Sequence, residues 1–364
     1  MSNLHAVAAA GQSIWSDSIS REMLDSGELH RRITEDAVTG VTSNPSIFAK
    51  AIGGSDDYDA QLRELADRDA TTKEIVSALM TSDLQRACDA LAPVWERTGG
   101  RDGHVSVEVD PELANDTDAS VAEAREWVKQ IDRPNLLVKI PATPAGIPAI
   151  ASLIGEGISV NVTLIVSIER YRELIDAYLA GLETFRAAGG DVATVASVAS
   201  FFVSRVDTEV DARLGSIGTQ EAGSLRGKAG IANARAAYDE FLQVFRGPRW
   251  QSLVADGAHI QRPLWASTST KDPAYPDTMY VDALLAPHTV NTMPLETIDA
   301  YQDHGSNTPT IFGPEEVAAA RTTLQGLADV GVDYDDVVQT LEDEGVDKFV
   351  TPWRELLEKV ESQR

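Results

Sequence analysis

One cysteine, Cys88, is all the thiol chemistry that this chain of 364 residues carries, so an intrachain disulfide is excluded. It falls in Leu84–Leu91, a stretch patterned as a helix with Cys88 on or near the apolar face. Histidine is almost as scarce: His5, His30, His104, His259, His288 and His304 are scattered with no partner at helical spacing. No zinc-type cluster results, and neither a metal nor an organic cofactor is expected. Cations are few, with 31 Lys and Arg against 57 Asp and Glu, and the formal charge of −26 is offset by no basic block. Such a surface repels nucleic acid and anionic membranes, and neither is expected as a partner. No run approaches the roughly 20 apolar residues of a membrane span, and no basic segment leads into an apolar core at the N-terminus. A cytoplasmic location is the expectation. Two phosphate-binding signatures, GxGxxG and GxxxxGK, are also missing, which counts against an open nucleotide-binding sheet.

What remains is a globular composition, 43% hydrophobic, organised as short apolar or alternating runs separated by helical stretches. The runs Ser13–Asp17, Gly40–Ser43, Val105–Val109, Leu136–Ile140, Ser159–Thr163, Ala193–Ser197, Leu264–Ser267 and His288–Met293 predict strands. Between them, Ala119–Ile131, Ala145–Glu156, Ile168–Ala187 and Phe202–Leu214 space their apolar residues as helices. The pattern predicts an α/β fold, a (β/α)8 barrel. After Pro294 the pattern turns purely helical, with Glu315–Leu327, Asp335–Asp343 and Pro352–Ser362 as candidates. Residues 1–364 are therefore expected to form a single barrel domain with a helical extension over about 295–364, which could cap the barrel or lie on its side.

The strands contain polar residues in telling places. Lys139 interrupts Leu136-Leu137-Val138-Lys139-Ile140, so burying that strand means burying an ammonium. Desolvation disfavours the charged amine and makes a strand lysine a candidate Schiff-base former, the alternative being a lysine paired with a buried carboxylate or reaching out from a strand end. Alternation in Ser159–Leu164 sends Ser159, Asn161 and Thr163 to one face and Val160, Val162 and Leu164 to the other. In a barrel the apolar face packs under helices, so Asn161 and Thr163 would share the interior with Lys139. Ser106 and Glu108 follow by the same argument, and Asp17 ends the first strand, where it could instead cap the helix that follows. Asn44 is held extended by Pro45, suited to a ligand hydroxyl or to a plain turn. Arg205 sits in the first turn of a predicted helix, where exposed N–H groups and a guanidinium fork favour an anion. Ser267 and Lys271, after the seventh strand, add a hydroxyl and a second cation where such barrels often bind phosphate.

Taken in order, Gly40-Val41-Thr42-Ser43-Asn44-Pro45-Ser46-Ile47-Phe48, Val107-Glu108-Val109-Asp110, Leu137-Val138-Lys139-Ile140-Pro141-Ala142-Thr143 and Gly157–Leu164 closely resemble the transaldolases, in their longer bacterial group. The similarity runs from about Ser13 to about Pro294, and the helical tail is of the expected kind. The resemblance implies a (β/α)8 barrel that transfers a dihydroxyacetone unit in the pentose phosphate pathway. Donors would be sedoheptulose 7-phosphate or fructose 6-phosphate, and acceptors glyceraldehyde 3-phosphate or erythrose 4-phosphate. It further implies that Lys139 forms the Schiff base and that Asp17 removes the C4 hydroxyl proton. Glu108 and Thr163 would hold and use the catalytic water. Asn44, Asn161 and Ser200 match sugar-binding positions, and Arg205 and Ser267 match the phosphate site. Two departures stand out: Ser16 replaces a larger apolar residue, and Ser269 followed by Lys271 stands where many relatives place an arginine, so Lys271 is assigned to phosphate in its stead. A simple class I aldolase that releases free dihydroxyacetone is the nearest rival, and a non-catalytic barrel the more distant one. Monomer and homodimer are both compatible with the resemblance.

Overall fold

The structure is a computed structural model that describes residues 2–364. Eight strands, β1 (Gln12–Ser16), β2 (Val38–Thr42), β3 (His104–Glu108), β4 (Leu136–Pro141), β5 (Val160–Ile165), β6 (Ser197–Phe202), β7 (Arg262–Ala266) and β8 (Thr289–Met293), close into a barrel in sequence order. Every neighbouring pair, including β1 with β8, is parallel. Parallel neighbours need crossovers, and helices supply them. Local capping marks where those helices start. Thr71 and Glu74 form a reciprocal capping box ahead of Thr72–Thr98, Asp116 caps Thr117–Ile131, and Ser167 caps Ile168–Ala187. Cys88 lies in the first of these, fully buried, and burial pushes its thiol up to about 12, which leaves it an inert core residue.

Three sequence expectations are corrected. The sixth strand is Ser197–Phe202, not Ala193–Ser197, because Val192–Thr194 is a 3-10 turn held by the Asp191 side chain accepting from Ala193 N. Two β-branched residues mimic a strand there, but the Asp191 cap stabilises a turn instead. Ser200 consequently lies within β6. In β5, Leu164 does not continue the outer apolar face. It adopts φ 60° at a register shift between Val162 and Ile165, and it packs beneath Gly345 of the C-terminal helix. Finally, Asp335–Asp343 and Pro352–Ser362 belong to one helix, Tyr334–Gln363, which runs straight through Pro352. A proline removes one helix hydrogen bond. The buried stripe Val337, Leu341, Gly345, Phe349, Trp353, Leu356 and Val360 outweighs that loss, each large apolar side chain contributing about 1.5–3 kcal/mol when fully buried.

The helical tail does both things open to it. Pro314–Asp329 packs on Ala229–Val244 at the side of the barrel. Tyr334–Gln363 crosses the C-terminal mouth, touching Pro45–Gly54, Thr72–Thr98, Val203–Ile217 and β5.

Inside the barrel, Trp15, Leu137, Val198, Leu264 and Val290 form one buried apolar cluster, a plug between the two ends. Trp15 is pinned by its Nε1, which donates to Asp102 Oδ1 at 2.8 Å. Its neighbour across the ladder is Gly40, where a Cβ would lie 2.5 Å from the indole ring. Gly40 is therefore required by close approach. Gly40→Ala should lower unfolding stability by about 1–3 kcal/mol through overpacking, read as a reduced urea midpoint. An unchanged midpoint would show that Trp15 can move aside.

Candidate active site

The C-terminal ends of the strands converge on a cleft of about 130 Å³, lined by Asp17, Asn44, Lys139, Thr163, Ser200, Arg205, Ser267 and Lys271 among others. Glu108 and Asn161 lie just behind it, 8% and 0% exposed. Register explains the gathering: Glu108 is level with Lys139, Lys139 with Asn161, and Pro141 with Thr163 on adjacent strands. Alternation places these side chains on the interior face, and parallel pairing then stacks them side by side.

Lys139 is 5% exposed, and its Nζ donates to the Ser43 carbonyl at 3.0 Å and to Glu108 Oε2 at 3.3 Å. The pairing with a buried carboxylate thus holds together with the placement at the head of a cleft. Burial pushes the Glu108 carboxyl up, with Lys139 opposing. Asp17 is likewise raised by burial, while a 2.7 Å hydrogen bond from Thr42 Oγ1 and the charges of Lys139 and Arg205 pull the other way. It is not a helix cap. Ser20 caps the helix that follows, which leaves Asp17 facing the cleft. Thr42 Oγ1 also lies 2.6 Å from Thr292 Oγ1, a link that anchors the carboxylate's partner across to β8.

Asn161 is locked between neighbours, donating to Ser106 Oγ at 3.0 Å and accepting from Ser200 Oγ at 2.7 Å. Thr163 Oγ1 is buried with no partner among the described residues. Asn44 combines both of its readings. Its Oδ1 caps the helix Pro45–Gly54 by accepting from Ile47 N at 3.0 Å, with Pro45 in the first turn, and it still lines the cleft.

Arg205 occupies the first turn of the helix Val203–Ile217. Its guanidinium lies 4.5 Å over the Phe202 ring and 5.5 Å from that of Phe349, and Nη1 is buried without a partner among the described residues. Burial lowers its pKa, opposed by Glu108 and Asp17. A desolvated guanidinium whose Nη1 has no partner among the described residues is suited to an anion. Ser267, at φ 55°, sits 2.8 Å from Ser204 Oγ, on the same side of the mouth. Lys271 is exposed at the rim, donates to Ser269 Oγ at 2.7 Å and forms no ion pair among the described residues. Ser16, the small residue before Asp17, is fully buried, and its Oγ donates to Ser18 O at 3.5 Å.

Sequence reasoning missed Thr42, Phe202 and Phe349. Thr42 was within reach, since it alternates with Gly40 on the interior face. Phe349 left no local signal: it comes from the C-terminal helix, yet its ring lies 5.7 Å from Lys139 Nζ.

The chain is similar to known proteins over nearly its whole length. The family model described as Transaldolase/Fructose-6-phosphate aldolase matches residues 14–360. A protein named Transaldolase from Thermobifida fusca is 56% identical over 363 residues, covering 100% of this chain and 98% of its own. Transaldolase 1 of Streptomyces avermitilis is 55% identical, covering 98% and 94%. A Transaldolase of Mycolicibacterium paratuberculosis is 54% identical, covering 99% and 97%. With matches that span nearly the whole chain, the protein belongs to the transaldolase/fructose-6-phosphate aldolase family.

Proposed function

We propose that Lys139 carries the dihydroxyacetone unit as a Schiff base while this enzyme, a transaldolase by family and full-length similarity, moves it from a ketose phosphate to an aldose phosphate. The observation that carries the assignment is the buried amine of Lys139, placed 3.3 Å from Glu108 at the head of a cleft that also holds Asp17 and Arg205.

The ammonium cannot attack a carbonyl until it gives up a proton. Glu108, raised by burial, is the adjacent acceptor, and it can return that proton when the carbinolamine loses water. Thr163 Oγ1, buried and unpartnered, is suited to holding that water. Once the iminium forms, Asp17 takes the C4 hydroxyl proton, the C3–C4 bond breaks, and its electron pair is delocalised into the iminium as an enamine. The aldose leaves, an acceptor aldehyde enters, and the steps reverse. Asn44, Asn161 and Ser200 would hold the sugar hydroxyls, and Arg205, Ser267 and Lys271 the phosphate. Sedoheptulose 7-phosphate or fructose 6-phosphate as donor, with glyceraldehyde 3-phosphate or erythrose 4-phosphate as acceptor, fits the non-oxidative pentose phosphate pathway. A cytoplasmic location, where such sugar phosphates would be made and used, is part of the same proposal; among the described residues no helix is long and apolar enough to cross a membrane. We also treat the barrel and the C-terminal helices as one domain, because Phe349 of the extension helps to form the cleft.

Transfer requires the bound enamine to outlast the exchange of aldehydes. Phe349, 5% exposed over Lys139, would exclude water during that interval.

Three measurements test these roles. Borohydride reduction with fructose 6-phosphate should leave a dihydroxyacetone adduct on the peptide containing Lys139, and Lys139→Ala should lose both adduct and transfer while staying folded; residual transfer in that variant would refute the assignment. Arg205→Ala should weaken phosphorylated donors by about 1.5–3 kcal/mol, roughly 10- to 150-fold in KM, and leave unphosphorylated donors nearly unaffected. Equal losses for the two donor types would remove Arg205 from the phosphate site. Phe349→Ala should raise the ratio of free dihydroxyacetone released to dihydroxyacetone transferred to erythrose 4-phosphate several-fold, and a constant ratio would count against water exclusion by that ring.

A further inference from the structure

The loop from β7 to the short helix Met279–Ala283 spans residues 267–278 without a helix or strand of its own, yet it carries Ser267 and Lys271, two of the three groups assigned to phosphate. Its root is bonded to the barrel. Ser204 N donates to Ser267 O at 3.1 Å, and Thr268 Oγ1 reaches Asn291 Oδ1 at 2.9 Å and Thr292 O at 3.1 Å. Beyond Thr268 that support stops. The side chains of Ser269 and Lys271 bond only to each other among the described residues, and a lysine delivers its charge from a flexible stem with no fixed fork. Where the loop is held therefore decides what Lys271 can reach.

The next firm hold is Tyr275. Its hydroxyl donates to Asp211 Oδ2 at 2.6 Å, and Asp211 belongs to Val203–Ile217, the helix whose first turn supplies Arg205. The seat is shaped for the ring. Gly227, at φ 68°, donates its N–H to Asp211 Oδ1 at 2.9 Å, and a Cβ there would stand 2.8 Å from the Tyr275 ring. Asp211 thus has one oxygen on the backbone that forms the seat and the other on the residue that fills it. A tight turn carries this hold back towards Lys271, with Tyr275 N donating to Asp272 O at 3.1 Å and Ala274 N to Asp272 Oδ1 at 2.9 Å. Asp272 itself reaches Arg226 only at 3.6 Å, a partly exposed pair of little strength.

One turn earlier on the same helix face, Asp207 repeats the arrangement, accepting from Gly230 N and from the Tyr280 hydroxyl, each at 2.8 Å. Two tyrosines, one in the loop and one just past its end, therefore dock on the helix that bears Arg205. Burial pushes both phenols up, and the carboxylates beside them add to the effect, so both remain protonated donors at neutral pH. The two contacts differ in setting. Tyr280 and Asp207 are buried and belong to the core packing, whereas Tyr275 is only half-buried, so its hydroxyl can be removed without opening the core.

We propose that Tyr275 is a positioning residue for phosphate recognition: its bond to Asp211 clamps the 267–278 loop against the helix of Arg205, so that Lys271 and Arg205 address one phosphate from fixed places. The inference rests on the assignment of Arg205 and Lys271 to phosphate. Tyr275 does not line the cleft, so it acts through the loop and not by touching substrate. A cation held in place beforehand loses less freedom when its ligand arrives, which puts the effect on the affinity of phosphorylated substrates and not on the chemistry at Lys139.

Tyr275→Phe keeps the ring over Gly227 and removes only the hydroxyl. With erythrose 4-phosphate saturating, it should raise the KM for fructose 6-phosphate about two- to fivefold, the range of one partly exposed polar contact, with kcat nearly unchanged and kcat/KM for unphosphorylated fructose unaffected. Lys271→Ala should give a rise of similar size, and adding Tyr275→Phe to it should change little further, because the clamp acts through Lys271. Amide hydrogen exchange at residues 269–272 should quicken in Tyr275→Phe. With Lys271→Ala still selective for the phosphorylated donor, any of four results in Tyr275→Phe would overturn the clamp and leave the phosphate assignment standing: an unchanged KM, unchanged exchange, equal losses for the two donors, or full additivity with Lys271→Ala. If Lys271→Ala itself leaves the KM for fructose 6-phosphate unchanged, the phosphate role of Lys271 fails, and the role of the clamp fails with it.

Discussion

At the centre of the barrel the Lys139 ammonium hangs between the Ser43 carbonyl at 3.0 Å and the Glu108 carboxylate at 3.3 Å, almost out of reach of water. A charge taken from water must be compensated by hydrogen bonds and an opposite charge, or it neutralises. The upper half of the interior is arranged to meet that demand. Ser43 ends one strand, Glu108 the next, and the ladder register that sets Glu108 level with Lys139 is the one that sets Asn161 and Thr163 beside them. The compensation is not complete, since burial still raises the Glu108 carboxyl against the opposing charge of Lys139.

Around this pair the remaining polar groups are fixed by interactions that have nothing to do with a ligand. Ser106 and Ser200 hold Asn161 from both sides, Thr42 holds Asp17, and a helix N-terminus holds Asn44. Side chains oriented in advance need not lose further conformational freedom when a sugar arrives. Thr163 Oγ1 and Arg205 Nη1 have no partner among the described residues, and both side chains line the cleft. Phe349 closes the site from above, and Phe202 with Phe349 flattens the guanidinium into place.

The apolar plug of Trp15, Leu137, Val198, Leu264 and Val290 divides the interior into two chemically independent chambers. Gly40 makes room for the indole, and Asp102 beneath it ties Trp15 to Ser13 and Arg262. The carboxylate that pins the plug is thus also the one that pairs with Arg262 at the lower end of the barrel.

Much of the protein was legible in residue order. Alternation at Ser159–Thr163 and Val105–Val109 is a local property of a strand, and a lysine in an apolar run is conspicuous whatever surrounds it. Seven of the eight strands were placed from such patterns, and the candidate site residues came from strand ends or the turns beyond them. Tertiary contacts decided what short windows could not encode. The sixth strand began later than its β-branched residues suggested because Asp191 favours a turn. Leu164 turned away at a bulge to meet Gly345. Pro352 failed to break its helix because a stripe of apolar side chains already had a barrel mouth to bury against, and the same packing delivered Phe349 to Lys139. Sequence by itself determined which chemical groups each strand would carry and on which face. Only closure of the barrel decided which of them would meet, because those contacts join residues far apart in the chain and depend on where the helices come to rest.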